Sequence, residues 1–179
     1  MIFSPLRISC LLLSAGLLTA PAARTSPARA AEEPEQIDVF VSGSQGYHTY
    51  RIPAIILTTK GTLLAFCEGR KTSRSDHGDL DLVLRRSTDG GKTWQPMQLV
   101  YEEGGAAKIT IGNPCPVVDR RTGTIWLPFC RDNDRVFITH SDDDGKTWAA
   151  PTEITKAVNK PEWHSYGTGP GHGIQLTGG

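Results

Sequence analysis

An eight-residue pattern occurs twice in this chain and restricts the folds that it can adopt. "STDGGKTW" at residues 87–94 returns as "SDDDGKTW" at residues 141–148, 54 positions later. A second pair, "GTLLAFC" at 61–67 and "GTIWLPFC" at 123–130, precedes the two copies. A repeat of about 50 residues built from short strands is typical of a β-propeller, in which each unit is a four-stranded blade.

Short β-rich runs separated by Gly, Asp and Asn turns make up the chain from Gln36 onward, with no helical periodicity. We therefore predict an all-β fold, a β-propeller with one blade at roughly 49–103 and a second at roughly 113–156. The sequence "GPGHGIQLTGG" resembles the start of a third blade. Because a propeller closes with about four to eight blades, we expect this chain to be the N-terminal part of a longer protein.

The first residues have the pattern of an export signal. Arg7 precedes the apolar run "ISCLLLSAGLLTA", and "ARA" at 28–30 offers a small-x-small cleavage site. We expect residues 1–30 to be a signal peptide, 31–46 a lead-in and 47–179 the propeller part. The expected location is secreted, periplasmic or extracellular, with no membrane span after removal of the signal. A retained N-terminal anchor is the alternative.

Charge and cysteine content exclude several classes of partner. Without the three arginines of the signal, 16 Lys and Arg face 19 Asp and Glu, a net charge of −3 that argues against nucleic acid binding. The three remaining cysteines have no CxxC or Cys/His spacing, which argues against a zinc site. Cys115 and Cys130 could form a disulfide, and buried thiols within strands are the alternative.

The repeated octapeptide fits Ser-x-Asp-x-Gly-x-Thr-Trp, a pattern suited to a hairpin turn. Its Ser and Asp side chains can bond nearby backbone groups, Gly can take a positive φ, and Trp can fold back as an apolar plug. A calcium loop fails because His140 would occupy the first ligand position, and we predict no metal and no cofactor. The structural residues are Ser87, Asp89, Gly91, Thr93, Trp94, Ser141, Asp143, Gly145, Thr147 and Trp148. This is the Asp-box, which resembles the repeat of sialidases and of other propeller families.

The tetrapeptide "YRIP" at residues 50–53 opens the first predicted blade. It resembles the (Phe/Tyr)-Arg-Ile-Pro motif of exo-α-sialidases, whose propeller has six blades. The resemblance implies that Arg51 belongs to an arginine triad that binds the carboxylate of sialic acid. Planar guanidinium donors suit that task because they match a carboxylate in a bidentate pair. A salt bridge within the blade is the alternative.

The segment "EGRKTSRSDHGDLDLVLRRSTDGG" at 68–91 resembles the sialidase stretch that carries the acid/base aspartate. The resemblance implies that Asp76 is the general acid and base. Asp76 lies in a Ser-Asp-x-Gly turn, and a mobile loop at the mouth of the site suits such a residue. Asp79 and Asp81 are rivals, but they alternate along the following strand and are expected to be ordinary strand residues.

Three further residues are implied by the resemblance to bind the substrate. Arg70 matches the family arginine on the sugar's hydroxyl side, and Glu68 matches an acid that could orient Arg51. Asn113, in "IGNPCPVVD", matches a residue that contacts the sugar, and its alternative role is to cap a turn before Pro114. The segment "WHSYGTGPGHGIQL" at 163–176 resembles a pocket wall, although its glycines could equally form a bend between blades.

The resemblance over 47–179 implies an exo-α-sialidase that hydrolyses terminal α-linked sialic acids from glycans, glycoproteins or glycolipids with retention. The family's tyrosine nucleophile, its glutamate partner and two clamp arginines are expected in a later part of the protein, so this part alone is expected to be inactive. Three alternatives stay open: a non-catalytic propeller that binds sialic acid or another carbohydrate, a protein-interaction propeller, and an enzyme that transfers sialic acid to another sugar.

Overall fold

Two antiparallel sheets account for most of the described chain. The computed structural model describes residues 35–104, 107–165 and 167–177, and all of these except Glu35 belong to one unit, Gln36–Gly179. The predicted signal peptide and the start of the lead-in lie outside the described residues. In the part that the structure describes, no helix is long and apolar enough to cross a membrane.

The first sheet is a four-stranded antiparallel meander. Its strands are β1 Thr49–Leu57, β2 Leu63–Arg70, β3 Leu80–Ser87 and β4 Gln98–Tyr101, in that order across the sheet. The apolar residues of β2 and β3 are almost all buried, as expected for a strand pair in the middle of a sheet. This sheet corresponds to the first predicted blade.

The second sheet repeats this plan with an interrupted first strand. Its strands are β5 Ile111–Gly112, β6 Val117–Val118, β7 Ile125–Arg131, β8 Arg135–Ser141 and β9 Thr152–Glu153. Strands β5 and β6 both pair with β7, and β8 and β9 follow in order. The break between β5 and β6 contains Pro114 and Pro116, which have no N–H to donate to a ladder. A short helix, α1 Thr155–Val158, follows β9 and was not expected from the sequence.

One apolar core joins the two sheets. Leu64, Phe66 and Leu84 of the first sheet belong to the same buried cluster as Leu127 and Phe129 of the second. Each of these five side chains is fully buried, and such burial stabilises by roughly 1.5–3 kcal/mol per side chain. The sheets therefore pack face to face, as neighbouring blades of a propeller do.

Both Asp-box turns have the predicted internal hydrogen bonds. In the first, Ser87 Oγ accepts from Gly91 N at 2.9 Å and Asp89 Oδ1 accepts from Thr93 N at 3.0 Å. In the second, Ser141 and Asp143 accept from Gly145 N and Thr147 N at 2.9 and 2.8 Å. In the first turn, the hydrogen bonds to Asp89 hold its pKa at about 2, and the hydroxyl and amide of Thr93 are the main donors. The hydrogen bonds are those expected of a turn with a structural role.

The second Asp-box turn also anchors the first sheet. Asp144 Oδ1 accepts from Thr58 Oγ1, and Asp144 Oδ2 accepts from Thr62 Oγ1, both at 2.6 Å. Arg86 donates Nη2 to the same Oδ2 at 3.1 Å and Nε to the Asp144 carbonyl at 3.0 Å. All four residues are buried. We call this group the Asp144 network, and it fastens one repeat unit to the other.

The three cysteines among the described residues lie in the strands or beside them. Cys67 and Cys130 are buried in β2 and β7, and Cys115 is half-buried in the break between β5 and β6. Cys115 and Cys130 form no disulfide with each other in the described part of the chain. Burial raises the pKa of each of the three thiols. The structure therefore favours the alternative of buried thiols over a disulfide.

Candidate active site

Arg51 lies where β1 bends. The β1–β2 register is regular as far as the pair Arg51 and Glu68, and it resumes with Ala54 opposite Phe66, so β1 holds an extra residue between them. Ile52 in this bulge has φ of 56°, a conformation that costs a β-branched residue roughly 1–3 kcal/mol. The bulge leaves the Arg51 side chain 40% exposed at the edge of the sheet. Strain of this kind is often retained where a side chain must be aimed at a site.

A buried ion pair lies beside Arg51. Glu68 Oε2 accepts from Arg70 Nη2 at 2.6 Å and from Arg70 Nε at 3.1 Å, with both side chains at most 3% exposed. Burial raises the pKa of Glu68, and the donors from Arg70 oppose that rise. The expectation that Glu68 orients Arg51 is wrong for this structure. Glu68 faces Arg51 across the strands, but its carboxylate bonds the arginine two residues along its own strand.

Arg70 also holds the loop that carries Asp76. Its Nη1 lies 2.7 Å from the carbonyl oxygens of Arg74 and Ser75, and 2.8 Å from Asp76 Oδ1. Every donor nitrogen of this guanidinium therefore has a protein acceptor. The loop of residues 71–79 is consequently folded back over the end of β2, with Asp76 at its tip.

Asp76 meets both arginines through one oxygen. Arg51 Nη1 donates to Asp76 Oδ1 at 2.8 Å, the same distance as Arg70 Nη1. The hydrogen bond from Arg70 is the main reason that the pKa of Asp76 is lowered, and the charges of Arg70 and Arg51 add to it. Asp76 nevertheless stays 64% exposed. The site therefore presents an arginine and a carboxylate to solvent in front of a buried ion pair.

Asn113 reaches this site from the second sheet. It follows β5 with φ of 57°, a left-handed conformation that Asn tolerates better than most residues. Its backbone N–H donates to Glu68 Oε1 at 3.0 Å, and its side-chain amide donates to Asn133 Oδ1 at 2.7 Å. Asn113 thus connects the Glu68–Arg70 pair to the second sheet and also forms the turn before Pro114.

The segment at 163–176 packs beside Asn113. Thr168 Oγ1 donates to the Asn113 carbonyl, and a Cβ on Gly169 would lie 2.3 Å from the Pro114 carbonyl oxygen. A Cβ on Gly167 would contact the Asn113 side chain at 2.9 Å. The glycines are therefore needed for close approach to the broken first strand of the second sheet. Tyr166 lies outside the described residues.

Sequence reasoning missed the role of Asp81. Its carboxylate is 4% exposed, accepts from Tyr47 OH at 2.6 Å and lies 3.2 Å from Lys71 Nζ. Lys71 Nζ also lies 3.2 Å from Asp79 Oδ1. Asp79 precedes β3 and Asp81 lies within it, and both carboxylates reach Lys71, the residue directly after β2. Two aspartates spaced two residues apart and a lysine at the end of the preceding strand were the signal for this contact.

Other features of the described residues do not belong to this site. A cavity of about 530 Å³ lies between residues 55–59 and 172–175, and none of the site residues line it. No group of three or more His, Cys, Asp or Glu side chains with the geometry to hold a metal ion occurs in the described ranges. The arrangement at Arg51 and Asp76 can bind an anion and exchange a proton.

Comparisons with known proteins identify the family of this chain. Residues 61–179 match the family model of the BNR repeat-like domain, so the chain is a BNR-repeat β-propeller protein. A "Sialidase" of Bacteroides fragilis is 35% identical over 169 residues, which cover 80% of this chain and 31% of that protein. An "Exo-alpha-sialidase" of Aspergillus fumigatus is 34% identical over 166 residues, covering 75% of this chain and 40% of that protein. The chain belongs to the sialidase family.

Solved structures agree with this assignment. Hadza microbial sialidase Hz136 superposes with a TM-score of 0.67 at 31% identity, over 73% of this chain and 31% of that chain. The intramolecular trans-sialidase from Ruminococcus gnavus gives a TM-score of 0.66 at 14% identity, over 79% of this chain and 56% of that chain, and supports the fold alone. The predicted all-β propeller fold is confirmed. The chain spans 31% and 40% of the length of the two curated relatives above.

Proposed function

We propose that this chain supplies a substrate-binding arginine and the acid/base carboxylate of an exo-α-sialidase. The full-length enzyme would hydrolyse terminal α-linked sialic acids from sialylated glycans with retention of configuration. The observation that carries the proposal is the contact between Arg51 and Asp76, 2.8 Å apart and both exposed at one end of the first sheet. Membership of the sialidase family supports the same reaction.

Arg51 is assigned to the substrate carboxylate. Sialic acid has a carboxylate on its anomeric carbon, and a guanidinium binds such a group through parallel N–H donors. In this structure Asp76 Oδ1 accepts from Arg51 Nη1, and it stands in for the substrate carboxylate. Binding of the substrate would therefore displace Asp76 from Arg51.

Asp76 is assigned to general acid and then general base catalysis. While it contacts the two arginines its pKa is lowered, chiefly through the hydrogen bond from Arg70, and the carboxyl is ionised. A substrate carboxylate at Arg51 removes one of these cations from Asp76 and adds a negative charge nearby. Both changes raise its pKa, so that it can protonate the departing glycosidic oxygen and later deprotonate water.

The remaining site residues support these two. Glu68 holds Arg70 in place, and Asn113 holds Glu68 through its backbone N–H. Arg70 can reach the sugar only after the loop of residues 71–79 moves, because the loop oxygens cover its Nη1. No nucleophile is assigned among the described residues. Retaining sialidases use a tyrosine instead of a second carboxylate.

Export of the enzyme is part of this proposal. The apolar run after Arg7 and the small-x-small site at 28–30 support cleavage of a signal peptide. N-terminal sequencing of the protein recovered from the medium or periplasm of its host is expected to begin close to residue 31. Recovery of the uncleaved chain from the membrane fraction would support a retained anchor.

The test compares two substrates in the full-length protein. Wild type, Asp76→Asn and Arg51→Ala are assayed with a 4-methylumbelliferyl sialoside, whose leaving group needs little acid assistance, and with sialyl-lactose, whose leaving group needs much. We expect Asp76→Asn to lose on the order of a hundredfold or more on sialyl-lactose and less on the activated substrate. Arg51→Ala is expected to weaken binding of both substrates.

Three outcomes would contradict this proposal. Equal losses of Asp76→Asn on the two substrates would remove the acid/base role. A wild type that binds sialic acid but releases nothing from either substrate would favour the non-catalytic binding propeller. Formation of a new sialylated sugar when lactose is added as acceptor would indicate transfer in place of hydrolysis.

A further inference from the structure

We propose that Lys71 is a positioning residue, one that sets the place of Asp76 without touching it. This inference rests on the acid/base role proposed for Asp76. Lys71 is the first residue after β2, at the base of the loop of residues 71–79. Its backbone N–H donates to the Asp79 carbonyl at 3.2 Å, so the two ends of the loop meet there.

The Lys71 side chain forms ion pairs with two carboxylates at that base. Its Nζ lies 3.2 Å from Asp79 Oδ1 and 3.2 Å from Asp81 Oδ2. Burial lowers the pKa of Lys71, but these two carboxylates outweigh that effect and raise it overall. Without the ammonium, the two carboxylates would repel each other on one side of the chain.

Asp81 has few other partners. Its Oδ2 accepts from Tyr47 OH at 2.6 Å, whereas its Oδ1 is buried with no hydrogen bond in the described part of the chain. The Tyr47 ring packs directly on Gly69, where a Cβ would lie 2.6 Å from it. Lys71 is thus the cation that keeps a buried carboxylate in place next to the loop.

The base and the tip of the loop are held by different contacts. On the Asp79 side, Gly78 N donates to Thr110 Oγ1 at 3.0 Å and Thr110 Oγ1 donates to the Gly78 carbonyl at 3.2 Å. At the tip, the Asp76 side chain contacts Arg51 and Arg70, and Arg70 also binds the backbone carbonyls of Arg74 and Ser75. When a substrate carboxylate displaces Asp76 from Arg51, the contacts of Arg70 and the base of the loop together limit how far Asp76 can move. Lys71, at that base, therefore contributes to where the proton donor lies during the reaction.

The experiment measures the loop and the chemistry separately in the full-length protein. The variants are Lys71→Met, Lys71→Arg as the conservative replacement, and Lys92→Met as a matched control at an exposed lysine of the first Asp-box turn. Hydrogen exchange of the amides at 72–78 measures how often the loop opens. The ratio of kcat/KM on sialyl-lactose to that on a 4-methylumbelliferyl sialoside reads acid assistance.

We expect Lys71→Met to speed exchange at 72–78 by about tenfold, with β2 and β3 unchanged, because only local opening is affected. Its kcat/KM on sialyl-lactose is expected to fall by about tenfold, and on the activated substrate by about twofold or less. Lys71→Arg is expected to recover most of both losses, and Lys92→Met to match wild type. Tyr47→Phe, which removes one bond to Asp81, is expected to change both readouts in the same direction by smaller amounts.

Several results would overturn the inference. Unchanged exchange in Lys71→Met shows that Lys71 does not hold the loop. Equal losses on the two substrates show a general structural defect in place of a misplaced acid. If Lys71→Met fails to fold, unchanged readouts in Tyr47→Phe reject the inference. Wild type without activity on either substrate contradicts the proposed function, while the exchange data still decide whether Lys71 orders the loop.

Discussion

Asp76 Oδ1 lies 2.8 Å from Arg51 Nη1, so the carboxylate proposed to protonate the leaving group contacts the guanidinium proposed to bind the substrate. In this state Asp76 is ionised and forms an ion pair with Arg51. Neither group is ready for its proposed task until the other is released. Binding and activation of the acid are thereby coupled through a single hydrogen bond.

Removal of Arg51 is expected to raise the pKa of Asp76. The rise should be partial, because the hydrogen bond from Arg70, the main cause of the lowered pKa, is still present in Arg51→Ala. Titration of aspartate side-chain carboxyls by ¹³C NMR measures the shift, and Asp89, with a pKa of about 2, is an unaffected reference in the same spectrum. A carboxyl of Asp76 that titrates as in wild type would show that Arg51 contributes nothing to the ionised state.

Loss of the Asp144 carboxylate is expected to destabilise the fold strongly. Asp144→Asn keeps a side chain that tolerates φ of 67° but leaves Arg86 buried without its ion-pair partner. Removing one member of such a pair costs about 3–5 kcal/mol. Asp142→Asn is the matched control, since that side chain is 68% exposed and should cost about 1 kcal/mol or less. Urea unfolding at neutral pH compares the two variants.

The cost of Asp144→Asn is expected to depend on pH. Burial raises the pKa of Asp144. The hydroxyls of Thr58 and Thr62 and the charge of Arg86 lower it by a larger amount, so the pKa is lowered overall. A lowered pKa in the folded state stabilises the fold above the pKa of the unfolded chain and loses that effect as pH falls through the folded value. The difference in unfolding free energy between wild type and Asp144→Asn should therefore narrow below about pH 4. A constant difference from pH 7 to pH 3 would contradict it.

Trp148 is expected to matter more to stability than Trp163. The Trp148 ring packs edge-on against the fully buried Phe66 of the other sheet, with 5.7 Å between ring centroids. Trp148→Ala should cost about 3 kcal/mol, near the lower end for a large core side chain. Trp163 is 49% exposed and contacts Lys160, so Trp163→Ala should cost about 1 kcal/mol or less. Similar losses of melting temperature in the two variants would argue against Trp148 as an interface plug.

Gly112→Ala is expected to disturb the site through Glu68. A Cβ at this position would lie 2.2 Å from Glu68 Oε1, and the buried carboxylate has no room to move away. Overpacking of this kind costs about 1–3 kcal/mol. Gly104→Ala is the control, because its Cβ would meet the exposed Glu102 carboxylate, which can swing into solvent. Equal urea midpoints for the two variants would show that Glu68 can relocate.

Most of the fold could be predicted from the repeat. The spacing of the Ser-x-Asp-x-Gly-x-Thr-Trp turns predicted two equivalent sheets, and side-chain chemistry predicted how Ser87 and Asp89 fold the turn. The interrupted strand was not predicted, because Pro114 and Pro116 mark a break in pairing without saying that pairing resumes. The helix Thr155–Val158 is too short to show a period.

The sequence predicted which residues form the site but not which of them bond to one another. Motif resemblance brought Arg51, Arg70 and Asp76 into one place, and the structure has them within hydrogen-bond distance. The partner of Glu68 could not be chosen from the sequence, because Arg51 lies across the strands and Arg70 lies on the same face of its own strand. Side-chain geometry decides between two such neighbours, and motif order carries no information about it.

The Asp144 network has a consequence for biosynthesis. Arg86 lies 58 positions before the carboxylate that it pairs with, and Thr58 lies 86 positions before it. During translation the strands of the first sheet leave the ribosome with a cationic side chain and two hydroxyls still lacking this acceptor. The first blade therefore reaches its final packing only after the turn of the following blade has been synthesised.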